Sequence, residues 1–245
     1  MDWSDEGIVL SCRALGEANA IVELLTREHG RHLGLVRGGR SRRVRPLLQP
    51  GNVVAGTWRA RLSEHLGSFT IELSEARAAL ILDDERALSA VTSLATLAKL
   101  LPERDPHRQL YATALQVLRA FDDELMWPAL LVHWEMMLLQ DLGFGIDLSE
   151  CAATGTDSDL AFVSPRSGRA VSREAGEPYV GKLLKLPRFL VDEDARIDPG
   201  DIAAGFELTG YFLTRDVLEP HGLAMPQARE RLINLLERGR MPAFQ

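Results

Sequence analysis

The feature that most constrains this chain is a change of hydrophobic period near residue 80. Before it, "EGIVLSCRAL" alternates and is rich in β-formers, and "AIVELLTREHG" ends in a glycine-containing turn. "RHLGLVRGG" reads as the return strand, and "GNVVAGTWRARL" and "LGSFTIELSEA" supply two more. A period of two marks strands that show one face to a core. Gly51 and Gly67 punctuate these strands, and Gly56 sits where a bulge or barrel corner would be tolerated. Five short strands in so short a stretch predict a small closed or partly open barrel over 1–80.

After the break the period is helical. Val91, Leu94, Leu97, Ala98 and Leu101 recur on one face until Pro102 stops the run. Leu110, Ala114, Val117, Leu118 and Phe121 form a second face. In "WPALLVHWEMMLLQDLGFG" Pro128 suits a first helical turn and Gly143 a helix stop. Residues 146–176 lose the pattern to Gly, Ser, Thr and Asp, which predicts a loop or small hairpin insert. Helices return in Pro199–Leu218 and Met225–Gly239. The expected class is α+β: a barrel at 1–80, a helical domain from 81–145 and 177–245, and an insert at 146–176.

Charge is unevenly spread along this frame. The 245 residues carry a formal net charge of −7, yet residues 1–80 hold eleven arginines and no lysine against nine acids. Such asymmetry suggests one basic working surface and one acidic support. Arg37, Arg40, Arg42, Arg43 and Arg45 crowd into nine positions of "VRGGRSRRVRPLLQP". Gly38 and Gly39 let the chain leave the strand as an exposed arm, and Pro46 and Pro50 stiffen its return. The planar five-donor guanidinium suits phosphate oxygens and stacks on unpaired bases. A basic arm on a barrel therefore predicts a site that tracks a nucleic-acid backbone. Trp58 and Phe69 could stack on bases, but a barrel needs aromatic core residues and the core assignment is favoured for both.

Other chemistry finds little support. The six histidines show no ligand spacing, and there is no GxSxG, phosphate-binding loop or dinucleotide fingerprint. Acidic runs occur at Asp83-Asp84-Glu85, Asp122-Asp123-Glu124 and Asp192-Glu193-Asp194. A metal-dependent nuclease could use such carboxylates. The first two precede predicted helices, where acids cap free N–H groups, and the third reads as a solvated loop. "MDWSDEG" has no secretion-signal character, and no apolar run reaches the ~18 residues of a membrane span. A cytoplasmic, reduced setting is expected.

"RHLGLVRGGRSRRVRPLLQPGNVV", "LGFGIDLSECAATG" and "FVSPRSGRAVS" together resemble the RecO family of bacterial DNA repair proteins over essentially the whole chain. The resemblance implies an OB-fold barrel, a helical body and a zinc-finger-like insert. It also implies a non-enzymatic recombination mediator, nucleoid-associated, that binds single- and double-stranded DNA and anneals complementary strands. With RecR such a mediator helps load RecA onto DNA coated by the single-stranded DNA-binding protein SSB. Arg37, Arg40, Arg42, Arg43 and Arg45 match the family's basic loop and inherit its DNA contacts. Arg104, Arg108 and Arg119 are candidates for the SSB C-terminal tail by charge and location. Many members hold zinc through two CxxC pairs. Here Cys151 matches the first position, but Thr154, Ser172 and Ala175 fall where the other thiols would be. One thiolate cannot hold tetrahedral zinc, so the insert is degenerate and no metal is expected. The alternative function is a protein-only adaptor whose arginine arm grips an acidic partner tail.

Overall fold

The computed structural model describes residues 1–192 and 194–238. The alternating segments become β1 (Asp2–Leu15), β2 (Asn19–Thr26), β3 (Gly30–Val36), β4 (Val53–Arg59) and β5 (Ser68–Glu75). They form a ring in the order β1-β2-β3-β5-β4. Its closure depends on β1, which pairs with β4 from Asp2 to Ile8 and with β2 from Gly7 to Leu15. A register irregularity between Val9 and Ser11 lies on this strand, where a bulge lets it bend from one partner to the other. A second irregularity lies at Val53–Val54. Gly56, the sequence-based choice for a bulge, stays in register opposite Ile71, and its missing Cβ leaves room for the Phe69 ring.

The last seam of the ring is thin. β3 and β5 run parallel and share one bridge, Leu35–Ser68, with the Leu35 N–H donating to the Gly67 carbonyl. The inward side chains include Val9, Val22, Leu24, Val54, Trp58 and Phe69. Each contributes roughly 1.5–3 kcal/mol on burial, so packing holds this barrel together far more than the seam does. His32 takes one inward position on β3 at 4% exposure. It is edge-on to the rings of Trp3, Trp58 and Phe69, and neither ring nitrogen has a well-formed hydrogen bond. Burial, then the charges of Arg104 and His29, lower its pKa to about 4.

The first helices are α1 (Ala78–Asp83), α2 (Glu85–Leu97), α3 (Arg108–Arg119) and α4 (Met126–Asp141). α1 has too few residues to show a period and is not visible in the sequence pattern. Two of the three acidic runs act as caps: Asp84 accepts from the N–H groups of Arg86 and Ala87, and Asp123 from those of Leu125 and Met126. Gly143, at φ 88°, stops α4, with Phe144 N–H returning to Leu139 O at 2.8 Å. Asn52 joins β-structure to helix. Its amide nitrogen donates to the carbonyls of Pro46 and Leu47, and its amide oxygen accepts from the N–H groups of Arg77 and Ala78. By contact, Met1–Leu118 forms one compact unit and the chain from Arg119 onward another. The change of secondary structure thus comes near 77, while the helices up to Leu118 group with the barrel.

In the second unit, β6 (Leu160–Val163), β7 (Ala170–Ser172) and α5 (Arg173–Gly176) lie within the expected insert, and β8 (Leu184–Lys185), past its expected end at 176, completes a sheet in the order β7-β6-β8. α6 (Pro199–Phe212) continues through a π-helical turn, Leu213–Leu218, and α7 (Gln227–Arg238) follows. Gly239, the expected end of this last helix, lies outside the described residues, as does Glu193. Gly205 lets α6 approach α4, since a Cβ there would lie 2.8 Å from Val132. Glu135 of α4 is fully buried and accepts from the Thr209 hydroxyl of α6 and from Nε and Nη2 of Arg229 of α7, the last two at 2.8 Å. A buried carboxylate matched by a guanidinium and a hydroxyl fixes how these helices meet, because losing either charged partner would strand a buried charge.

Inside the insert, Thr154 and Ser172, two of the positions where the family's other thiols would fall, meet Cys151. Its buried sulfur accepts from the Ser172 N–H at 3.2 Å. Burial pushes the thiol pKa up, but donors from Ser172, Thr154 and the Ala153 backbone outweigh it and bring the pKa to about 6. Cys151 N–H donates to Thr156 O and Ala152 N–H to Ala170 O, closing the loop by backbone. One sulfur among hydroxyls does not fit a structural zinc. Among the described residues no three His, Cys, Asp or Glu side chains gather as a metal site.

Three measurements test these roles. Between pH 6.5 and 4 the unfolded chain protonates His32 and the folded chain does not. Stability should therefore fall with pH across that window, by on the order of 2 kcal/mol. The change His32→Leu should abolish this component in urea unfolding followed over pH; an unchanged profile would refute it. Asn52→Leu should cost about 2–4 kcal/mol by stranding buried backbone partners, and amide exchange should accelerate first at Arg77 and Ala78. The purified chain should carry no stoichiometric zinc, and a chelator should leave its melting temperature unmoved. A chelator-induced drop would show that a metal holds the insert.

Candidate nucleic-acid interface

The five clustered arginines lie between β3 and β4, and all are exposed. Gly38, at φ 66°, turns the chain out of β3 with nothing within 4 Å of where its Cβ would stand. Gly39 has a different reason to be glycine: a Cβ there would lie 2.7 Å from that of Ala20. Beyond the glycine pair the chain is not a free arm. Consecutive turns run from Ser41 to Asn52, held by Ser41 N–H to Gly38 O, Arg45 N–H to Ser41 O and Leu48 N–H to Arg45 O. Arg40 N–H reaches back to Ala18 O, and Gly38 N–H to the Asn19 side chain. Leu48 is 1% exposed and belongs to the barrel core, so the segment is pinned at its middle as well as its ends. The anchoring leucine was present in the "RPLLQP" closure, but alternation alone does not separate it from Leu47.

Charge pairing sets these arginines apart. Elsewhere in this unit most guanidinium groups are engaged, Arg13 and Arg61 being exposed and likewise without a side-chain partner among the described residues. Arg31 pairs with Glu23 and donates to Leu101 O, Arg77 pairs with Glu75, and Arg86 with Asp84. In the cluster, Arg40 donates to the Gly16 carbonyl at 2.8 Å. Arg37, Arg42, Arg43 and Arg45 make no side-chain hydrogen bond and no ion pair among the described residues. Four mutually repelling cations in one short segment are electrostatically unfavourable unless an anion is supplied from outside.

The aromatic side chains are not free to stack. Trp58 and Phe69 are 2% and 4% exposed and sit in the core, as the barrel required. Trp58 Nε1 donates to Leu66 O. Trp3, half-buried, lies between His29 at 3.9 Å and Trp58 at 5.7 Å, nearly parallel to both. The surface of the cluster can thus hold phosphates through charge, but it does not present these rings as platforms for bases.

The other basic positions differ in kind. Arg104 donates to the carbonyls of Ser63, Glu64 and His65, holding the loop between β4 and β5. Arg108 meets Glu28 through Nε at 2.7 Å. Arg119 is exposed at the C-terminal end of α3. The histidines form no catalytic array: His29 bonds Asp5, His221 bonds the Val217 carbonyl, and His133 packs against Phe189, where burial lowers its pKa. No described helix is long and apolar enough to cross a membrane.

Comparison with known proteins relates both parts of the chain to one family. Residues 1–77 match the family model for the recombination protein O N terminal, and residues 82–223 that for the recombination protein O C terminal. The DNA repair protein RecO of Rhodopseudomonas palustris strain TIE-1 is 55% identical over 242 residues, 97% of either chain. That of Afipia carboxidovorans is 54% identical over 244 residues, 98% of either chain. That of Xanthobacter autotrophicus is 52% identical over 243 residues, 99% of this chain and 100% of the relative. With both halves matched in order and half of all positions shared along the full length, the chain belongs to the RecO family of DNA repair and recombination proteins.

Proposed function

We propose that the chain is a non-enzymatic recombination mediator that binds single- and double-stranded DNA through Arg37, Arg40, Arg42, Arg43 and Arg45 and promotes annealing of complementary strands. The observation that carries this reading is the set of exposed guanidinium groups left without internal anions on a folded, anchored segment. Contacts to phosphate neutralise two polyanions so that they can approach each other, and they leave base edges free to pair. Burial of Trp58 and Phe69 favours the same mechanism, since strong stacking would compete with pairing. An acidic remainder orients the encounter by repelling DNA from the rest of the surface. Acidic runs that cap helices are poor metal ligands, which supports a binding rather than a hydrolytic role.

In this reading the protein acts with RecR to help load RecA onto SSB-coated DNA. Arg104, Arg108 and Arg119 are proposed to meet the acidic SSB tail. At Arg108 an incoming carboxylate would replace Glu28, whose bond is exposed and therefore weak.

Fluorescence anisotropy of a labelled single strand tests the DNA site. Replacing Arg40, Arg42, Arg43 and Arg45 by alanine should remove most of the affinity and flatten the log–log salt slope by roughly 0.7 per lost phosphate contact. Circular dichroism checks that the variant folds. Equal affinity and slope in the two proteins would move the DNA site elsewhere and leave the cluster to an acidic protein partner.

A further inference from the structure

Beneath the arginine segment lies a cavity of about 470 Å³, bounded by the β1–β2 hairpin on one side and the returning turns on the other. This is ample for a small ligand. Arg40 and Arg45 line it, with Ala14, Ala20 and Gly39 as small walls, buried Leu48 as its floor and Pro50 as exposed apolar surface. Among the described residues no acidic side chain lines it. Arg40 is held in place, because one arm of its guanidinium donates to Gly16 O, while Arg45 has no side-chain partner among the described residues. The cavity is kept open by small residues at paired positions, since Ala14 stands opposite Ala20 across the hairpin and Gly39 abuts Ala20. Fixed positive charge beside apolar wall, without an opposing carboxylate, matches an anionic group carrying a carbon framework.

We propose that this cavity is a nucleotide subsite of the DNA-binding surface, taking one phosphate between Arg40 and Arg45 with the attached sugar against the exposed ring of Pro50. The inference rests on the DNA-binding reading above and gives it a register point: one nucleotide is seated while its neighbours are tracked by Arg37, Arg42 and Arg43. Gln49 is the remaining polar side chain of the cavity, and its amide nitrogen already donates to Arg45 O at 3.3 Å. A site with so few directional groups holds any nucleotide and reads no base, as strand annealing requires.

Cys12 provides the reporter. It lines the cavity and is exposed, whereas Cys151 is 1% exposed, so an alkylating reagent acts on one thiol of the folded chain. Burial pushes the Cys12 thiol up and the charge of Arg45 pulls it back, which calls for mildly alkaline labelling. Iodoacetamide modification of Cys12 in the full chain, read by mass spectrometry, should slow about tenfold with oligothymidylate at about ten times its dissociation constant, because only free protein reacts. Inorganic phosphate at the same phosphate concentration should not protect. Ala14→Phe, at an exposed position, should fill the cavity and weaken DNA binding severalfold with every arginine retained. If DNA binds the native chain but labelling and the Ala14→Phe affinity are unchanged, the cavity is not a subsite while the DNA-binding reading stands. Equal protection by inorganic phosphate would overturn the nucleotide assignment in favour of a small-anion site. If the native chain binds no DNA, the broader reading fails and this one with it.

Discussion

One buried amide sets the geometry on which the proposed interface depends. Asn52, 3% exposed, uses both ends of its side chain: the nitrogen fixes the carbonyls at the end of the arginine segment, and the oxygen fixes the first N–H groups of α1. Its own carbonyl accepts from Val9 N–H on β1. Return of the basic segment, the bend of the longest strand and entry into the helices are therefore one hydrogen-bonded knot. Because the knot is buried, each lost bond costs the desolvation of its partner as well as the bond.

Rigidity of this kind changes how the arginines act. A disordered basic tail loses backbone freedom when it binds, and that loss subtracts from affinity. Here the turns from Gly38 to Asn52 are ordered by their own hydrogen bonds and by Leu48 in the core. Only side-chain freedom remains to be lost, so charge repulsion within the cluster is built in during folding and relieved on binding.

Much of this was legible in the sequence, for physical reasons that also mark where legibility ended. Alternation revealed five strands because one face of each is buried, and the switch to a 3.6-residue period located the helices. Asp84, Asp123 and Gly143 announced helix ends because capping needs those side chains or that backbone freedom. The bulge between Val9 and Ser11 left no trace, since it follows from β1 having two partners rather than from a residue type. Arg37 to Arg45 were conspicuous as charge, yet their lack of internal partners depends on which acids the fold brings near, and composition is silent on that. The cavity beside Cys12 was equally hidden, because Gly39 and Ala20 meet only through tertiary packing. Gly39 looked like a hinge and is a close contact.

The insert carries a consequence of its own. Zinc knuckles depend on supply of the ion, and oxidation of their thiolates releases it. Here a single enclosed sulfur receives donors from a serine, a threonine and the backbone, and strand pairing supplies the rest. The shape of this loop is therefore set by burial and backbone hydrogen bonds, contacts that form as the chain folds and ask for no second component.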